Sequence, residues 1–523
     1  MSNTLFNVPL EERLIGAFLA KQSQRIGDKT FLEFEQSAWT FSEVHEKSLA
    51  VAKGLLTLHV KPQTGVLVML PNCPEMVFTW FGCTLVRAIN IPINPHLMGD
   101  ILARPFIDSQ AEIIIIHADF LKILKTLPEN VIATIKKIVI VGDWKPTTDF
   151  SAHIIPFNEW LEDTKLQPEF TPDGSYQDVQ TIFYTSGTTG PAKGVQTTNA
   201  HQFSAAIGLI RVVGLKQEDV LFTPFPLFHG FAARLGVLPC LLVGATVSVA
   251  PKFTAAQYWE QVVRAKATVG HSLFGTPRAL LDQPPNEHEK KHQLRVMFNS
   301  HYSEEFEQRF KVPLIEGFSM TETGFVLYSN WEQRKIGSCG QVHEDWEAKL
   351  VDEYDQGVGV GVVGELVVRP KLPFIMMQGY LNQPDSTVKA FKNLWFHTGD
   401  MMRRDEEGYY YFVDRAKERI RRKSENISSF DIEQIINAHK AVNECVVLPL
   451  PNGKEDDIRL IIVKNDQQLS EQELADWIKQ KLPKLMWPTY IEFVERLPYT
   501  PTFKVEKLKL MRDGLTPNAW KLP

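Results

Sequence analysis

Apolar positions along the chain fall into short runs separated by longer amphipathic stretches. Phe31–Glu35 alternates as a half-buried strand does. Val66–Leu70, Ile89–Ile93, Ile113–Ile116 and Ile138–Val141 are apolar runs of strand length. Segments of helical character lie between them: one that Ser42 can cap and that runs to about Leu58, one over about 75–86 after the Pro71–Pro74 turn, and a stretch between Ile116 and Ile138. The alternation continues through a strand at Thr181–Tyr184, a helix at Ala200–Val213, strands at Val220–Phe222 and Ala245–Val249, a helix at Trp259–Ala265 and the pair Leu314-Ile315. Pro284–His292 reads as a charged, exposed loop. Strands alternating with helices predict an α/β fold of parallel-sheet layers with helices on their faces. From Ile336 to 413 the strands shorten and glycines multiply, with Ala348–Val351, Gly364–Val368 and Tyr409–Val413 and a hairpin at Gly408, which predicts a β-rich subdomain. From Asp414 a last segment has its own β-α-β-like order: a helix at Asp431–His439, strands at Cys445–Leu448 and Leu460–Val463, and a helix at Glu471–Leu482. It is long enough for a small separate α+β domain.

Composition narrows the class. The chain has 523 residues, too many for one ordinary core. Its 44% hydrophobic and 23% charged residues are those of a soluble globular protein. A net charge of −6 argues against a general nucleic-acid binder. Five scattered cysteines, with no C-x-x-C pair, read as reduced thiols of a cytoplasmic protein. The apolar segment Leu235–Ala250 is broken by Pro239 and two glycines and is shorter than the ~20 residues of a membrane span, so it reads as buried helix and strand.

The densest candidate chemistry follows the strand at Thr181–Tyr184. Thr185, Ser186, Gly187, Thr188, Thr189, Gly190, Pro191, Ala192, Lys193 and Gly194 bring together three glycines, four hydroxyls and a lysine. Glycines let the backbone approach a ligand, and successive N–H groups on such a turn form a concavity for an anion. The stretch reads as a phosphate cradle, and it lacks the glycine–lysine spacing of a Walker A loop. Farther along stand an aromatic approach, Pro224–Gly230, that ends in Phe228 and His229, and the run Glu316–Thr323.

Taken in order, Thr185–Gly194, Gly317–Glu322, Thr398-Gly399-Asp400, Asp414-Arg415 and Pro498–Lys504 resemble the motifs of the adenylate-forming superfamily, which holds acyl-CoA synthetases, adenylation domains and firefly luciferases. Trp395–Asp400 and Tyr409–Arg415 look most like the crotonobetaine/carnitine–CoA ligase branch. The resemblance covers nearly the whole chain. It implies an N-terminal ATP- and acyl-binding domain over 1–413, a hinge at 414–417 and a mobile C-terminal domain over 418–523. It also implies a two-step reaction. A carboxylate attacks the α-phosphate of MgATP to give an acyl-adenylate and pyrophosphate. A thiol, usually that of coenzyme A, then takes the acyl group and releases AMP.

Roles follow residue by residue from the same resemblance. The cradle, with Lys193, would hold the departing β- and γ-phosphates. Gly317, Phe318 and Ser319 would lie beside the nucleotide, with Phe318 against the adenine. Thr321 would bond the α-phosphate or the acid, and Glu322 would hold magnesium through a hard oxygen. Asp400 would accept both ribose hydroxyls, with Arg415 nearby. Lys504 would bridge the attacking carboxylate and the α-phosphate. Lys417 takes the hinge position, about which Arg421, Lys423, Ser424 and Glu425 would swing toward the thiol tunnel. Phe228, His229, His301 and Tyr302 would line the acyl pocket, with His229 gating the carboxylate.

Four places depart from the common pattern. Ser319, Ser424 and Phe503 replace glycines, and Asn299-Ser300-His301-Tyr302 replaces a small Gly-Gly-Ala-Pro run. Ser424 bears on thioester formation and His301-Tyr302 on the choice of acid. The expected protein is an acid–thiol ligase with ATP, coenzyme A and a short or polar carboxylic acid as substrates. It would have no nucleic-acid partner and no membrane span, and would share the homodimeric habit of its relatives. Loading of a carrier-protein pantetheine and catalytically silent binding of nucleotide or acyl group are the alternatives. Nothing in the residues points to luciferase-like oxygenation.

Overall fold

A computed structural model describes residues 8–145, 150–163, 174–185, 192–273, 275–299, 302–329, 333–415, 420–422, 425–427, 429–452, 455–500 and 504–522. The chain divides into two compact units, one of 1–187, 191–347 and 370–389, the other of 188–190, 348–369 and 390–523.

The first unit carries two large sheets. One runs in the order Gly379–Tyr380, Lys193–Thr198, Val179–Thr185, Ile89–Pro92, Gly65–Met69, Ile113–His117, Lys137–Val141 and His153–Pro156. Its last six strands pair in parallel, and the first two are antiparallel additions at one edge. The other runs Leu314–Ile315, Val296–Phe298, Val269–His271, Val220–Thr223, Thr246–Val249, Thr30–Phe34 and Ser37–Thr40, parallel up to its terminal hairpin. The apolar runs predicted as strands occupy the parallel positions. Sheets covered on both faces need continuous hydrophobic strands rather than alternating ones.

A helical layer lies between these sheets. The helix Pro74–Leu85 is buried at every position but Glu75, as a helix apolar all round must be. Its Phe81 stacks on Phe31 of one sheet, and its Trp80 Nε1 donates to Gln180 Oε1 of the other at 2.9 Å. Helices Phe41–Thr57 and Ile15–Ile26 pack beside it. The Phe41–Thr57 helix corrects one detail of the sequence reading, because its cap is Thr40 and not Ser42. Thr40 accepts from the Glu43 N–H while Glu43 reaches back to the Thr40 N–H at 2.7 Å, a closed capping box. Pro284–His292 is not simply an exposed loop. It holds a 3₁₀ turn at Glu287–Lys290 whose Glu289 is buried and paired with Arg309 at 2.7 Å.

A small antiparallel sheet, Gly317–Met320, Gly324–Tyr328 and Gln341–Val342, completes this unit. The helix Asn199–Val213 packs against its middle strand, and the contact is tight: a Cβ on Gly208 would stand 2.6 Å from the Phe325 side chain.

The second unit contains the β-rich sheet of Trp346–Val351, Gly364–Pro370, Trp395–Arg404, Phe391–Lys392 and Tyr410–Arg415. Asp414 and Arg415, read from sequence as opening the final segment, are the end of the strand that returns from the Gly408 hairpin. Farther on, Val442–Asn452 and Glu455–Lys464 form a long hairpin, extended by Tyr490–Val494 and Trp520–Lys521. The Ser429–Asn437 and Glu471–Lys481 helices bury their apolar faces on this sheet through Ile432, Ile436, Leu474 and Ile478. Among the described residues no helix is long and apolar enough to cross a membrane.

The Gly208 contact gives a direct test. Gly208→Val should lower stability by about 1–3 kcal/mol through overpacking against Phe325. Gly359→Ala, where an added Cβ meets nothing within 4 Å, should leave the urea midpoint unchanged.

Candidate active site

Parallel topology gathers segments that are far apart in sequence. Strands Val220–Thr223, Val269–His271, Val296–Phe298 and Leu314–Ile315 are parallel neighbours, so their carboxyl ends open on one edge. From that edge leave the Pro224–Gly230 approach, His271-Ser272, the start of the Asn299–Tyr302 segment and the Glu316–Glu322 run. Crevices outside the carboxyl ends of parallel strands are the usual ligand sites of such sheets.

The cradle is framed by two antiparallel strands, with Thr185 directly opposite Lys193. Ser186, Gly187, Thr188, Thr189 and Gly190 lie outside the described residues. The Lys193 ammonium sits 4.4 Å from the centroid of the Tyr380 ring, and the Tyr380 hydroxyl donates to Glu322 Oε1 at 3.1 Å. Tyr380 thus joins the lysine of the cradle to the predicted magnesium carboxylate. Sequence reading missed it. The only signal was Gly379, whose φ of +150° lies where side chains are rarely tolerated, in a strand that docks on Val195 and Gln196.

The Gly317–Glu322 run is a strand and turn. Gly317–Met320 pairs with Gly324–Tyr328 through a bulge at Phe318/Ser319. Gly317 is needed for space, since a Cβ there would approach Phe325 to 3.1 Å and the Leu327 carbonyl to 3.3 Å. Ser319 is not among the residues with positive φ, so its backbone does not demand the glycine of the common pattern. The turn is held from several sides. Arg234 donates to the Met320 carbonyl at 2.9 Å and the Thr321 carbonyl at 3.0 Å, and the Met377 N–H donates to the Glu322 carbonyl at 2.8 Å. Arg234 is buried, and burial pushes its guanidinium down to about 10, which leaves it charged at neutral pH. It too was missed, being a lone arginine beside a strongly apolar run.

At the aromatic approach, Phe228 and His229 are half-buried, and His229 Nδ1 accepts from the Phe231 N–H at 3.1 Å. Phe231 packs at a tilt against His271, with ring centroids 4.7 Å apart, and the His271 ring is fully buried and held neutral, pushed down to about 3 by burial. His301 lies outside the described residues. The Tyr302 N–H donates to Glu316 Oε1 at 3.0 Å, and the Gly337 N–H donates to Glu316 Oε2 at 2.9 Å. Burial pushes the Glu316 carboxyl up to about 7 against these bonds.

In the second unit, Asp400 is buried and stands opposite Arg415 across the hairpin. Its turn is fixed by the Gly399 N–H donating to Glu365 Oε1 at 2.9 Å and by Thr398 Oγ1 donating to the Leu366 carbonyl at 2.7 Å. Arg421 and Glu425 lie on the paired strands Ile420–Arg422 and Glu425–Ile427. Lys417, Lys423, Ser424 and Phe503 fall outside the described residues. Lys504 closes a turn with Thr500: the Thr500 N–H donates to the Lys504 carbonyl at 2.8 Å, and the Lys504 N–H donates to Thr500 Oγ1 at 3.1 Å.

The sequence matches the AMP-binding enzyme family over residues 19–381 and its C-terminal domain over 431–504. The chain belongs to that family. The crotonobetaine/carnitine–CoA ligase of Salmonella typhimurium is 30% identical over 499 residues, covering 92% of this chain and 96% of the relative. Among solved structures, an anthranilate–CoA ligase in complex with anthranoyl-AMP superposes with a TM-score of 0.88 at 23% identity, over 97% of this chain and 98% of that one. A benzoate–CoA ligase from Burkholderia xenovorans gives 0.82 at 20% identity, over 95% and 99%. This AMP-binding enzyme therefore has the adenylate-forming fold, and the expected class, an AMP-forming acid–thiol ligase, agrees with its relatives.

Two measurements probe the geometry. Tyr380→Phe removes a hydrogen bond to a charged acceptor and should lower kcat/KM for MgATP about tenfold with little change in Tm. Glu316 has a folded-state pKa above its unfolded value, so its protonated form is the stabilised one. Its contribution is present below about pH 4.5 and is lost as pH rises toward about 7. Glu316→Gln should flatten that slope in urea unfolding run from pH 5 to 7.5.

Proposed function

We propose that this AMP-binding enzyme is an ATP-dependent acid–coenzyme A ligase, acting through an acyl-adenylate with release of pyrophosphate and AMP. The observation that carries the reading is the chain Lys193–Tyr380–Glu322, which ties the strand leaving the phosphate cradle to the carboxylate expected to meet the metal. A phosphate-binding loop and a hard oxygen donor held together is what transfer from MgATP requires.

Each residue has a physical task in this scheme. Lys193 and the cradle stabilise charge on the departing pyrophosphate. Thr321 offers a hydroxyl to the α-phosphate, at a turn whose carbonyls Arg234 pins. Among the described residues no group of three His, Cys, Asp or Glu side chains could cage a metal ion. Magnesium binds through one or two carboxylates together with substrate phosphates, and Glu322 is the carboxylate that would hold it. Bound there, the ion would neutralise phosphate charge. Asp400 offers two acceptor oxygens to a ribose diol, with Arg415 beside it in register. Lys504 supplies the cation between carboxylate and α-phosphate, and Lys417 is the hinge about which 418–523 turns between half-reactions, carrying Arg421, Lys423, Ser424 and Glu425 toward the thiol.

The relatives are coenzyme A ligases by name, which favours coenzyme A over a carrier-protein thiol. Crotonobetaine and carnitine are small polar acids, and this supports a short or polar acid for the pocket of Phe228, His229, His301 and Tyr302. A cytoplasmic homodimer is part of the same reading. Buried Cys83, Cys240 and Cys445 are free thiols, in keeping with a reducing compartment.

Carboxylate-dependent ATP–pyrophosphate exchange without coenzyme A tests the first step over a panel of acids. Wild type should exchange with one class of acid, and Lys504→Ala should lose at least about 100-fold. ATP binding with no exchange for any acid would refute the ligase and leave a silent binder.

A further inference from the structure

Asp400, proposed above for the ribose diol, sits where its strand loses part of its ladder. Between Gly364–Pro370 and Trp395–Arg404, Glu365 stands opposite Met401 and Val367 opposite His397, so Leu366 alone faces three residues, Thr398, Gly399 and Asp400. Such a bulge leaves main-chain groups to be fixed by other means. On the far side Asp400 keeps its pairing with Arg415. Packing does not wedge the turn itself: Gly399 has a φ of +74°, and nothing among the described residues lies within 4 Å of the place its Cβ would take. Two side-chain bonds hold the turn against Gly364–Pro370, from Thr398 to the Leu366 carbonyl and from the Gly399 N–H to Glu365.

Glu365 holds the turn only while its own carboxylate is oriented. Its other oxygen, Oε2, lies 2.9 Å from His397 Nδ1, and a carboxylate only accepts, which assigns a proton to Nδ1. The far ring nitrogen, Nε2, lies 3.5 Å from Asp355 Oδ1, and Asp355 Oδ2 accepts from Asn393 Nδ2 at 2.6 Å. The His397 side chain is 8% exposed and that of Glu365 is 23% exposed. A glutamate at the edge of solvent has several rotamers open to it, and a bond to the enclosed ring selects one. Asn393, Asp355, His397 and Glu365 thus form one line of polar contacts, and it ends on the N–H of the residue before Asp400. All of them belong to the second unit.

We propose that His397 is a positioning residue for nucleotide binding: through Glu365 it fixes the Thr398–Gly399 turn and so aims the Asp400 carboxylate at the ribose diol. The proposal rests on the ligase reading above, in which Asp400 accepts from both ribose hydroxyls. His397 itself touches no substrate in this scheme. Its loss weakens the bonds that need the diol and spares those to the phosphates and the base.

The test is calorimetric binding of MgATP and of magnesium 2′,3′-dideoxy-ATP, which lacks the diol, to the full chain with no acid present. Wild type should bind ATP at least about tenfold more tightly than the dideoxy nucleotide, and Asp400→Ala should abolish that preference. In His397→Val the preference should fall at least about threefold, with binding of the dideoxy nucleotide unchanged. His397→Asn places an amide near the position of Nδ1 and should keep the preference to within about twofold of wild type. His397→Gln, whose amide reaches toward the position of Nε2, should lose it as the valine variant does. If the valine variant does not fold, the contrast between asparagine and glutamine carries the same test. A preference unchanged in His397→Val, a loss shared equally by the two nucleotides, or equal behaviour of the asparagine and glutamine variants overturns the proposal and leaves the ligase reading standing. No preference in wild type removes the ribose role of Asp400, and this proposal with it, while pyrophosphate exchange still reports on the ligase. No binding of ATP at all removes the ligase reading as well.

Discussion

A carboxylate proposed to meet a metal ion and a row of phosphates has to be kept still without being neutralised. Glu322 is held this way. Its side chain takes one neutral hydrogen bond from Tyr380, its carbonyl takes the Met377 N–H, and the two carbonyls before it are pinned by Arg234. No cation is bonded directly to the carboxylate among the contacts described. The positive charge of Arg234 is instead delivered to the backbone next to it. An ion pair would have fixed Glu322 equally well, but would have occupied the oxygens that a metal needs. Two glycines allow close packing around this turn: Gly208 lets a helix lie against Phe325, and Gly317 lets its strand pack against Phe325 and Phe298.

The supporting scaffold explains how such a turn can be rigid. Two largely parallel sheets enclose a helix, Pro74–Leu85, that is buried at every position but Glu75, so strand ends project from a tightly packed base. Function then lies in the segments that leave the strand ends, where backbone groups are free of the ladder. Glu316 is one consequence. It accepts N–H groups from Tyr302 and Gly337 and so ties together two segments near the end of the second sheet.

The family and the chemistry expected from it were legible because they rest on local residue types and their order. Glycine, hydroxyl and lysine side chains between Thr185 and Gly194 announce an anion, and a run such as Gly317–Glu322 carries its family in its order. Tyr380, Arg234 and His271 were not legible. A tyrosine after a glycine, an arginine next to an apolar run and a histidine at a strand end are each commonplace in sequence. They acquire meaning only from neighbours 58, 86 and 48 positions away, Glu322, Met320 and Thr223. The capping of Phe41–Thr57 shows the same limit at short range. Ser42 and Thr40 are both competent caps, and the choice falls on Thr40 because Glu43 completes a box with it.

The sequence by itself determined the class of elements, the parallel layering and the family, since each follows from periodicity, from strand composition and from motifs whose order survives in one dimension. Tertiary structure alone decided which polar groups would share a buried site. Hydrogen bonds and desolvation act over a few ångströms, while the residues they join are separated by scores of positions. Only the register of the strands and the packing of the Arg234 turn against Met320 and Thr321 bring Lys193, Tyr380, Glu322 and Arg234 within reach of one another.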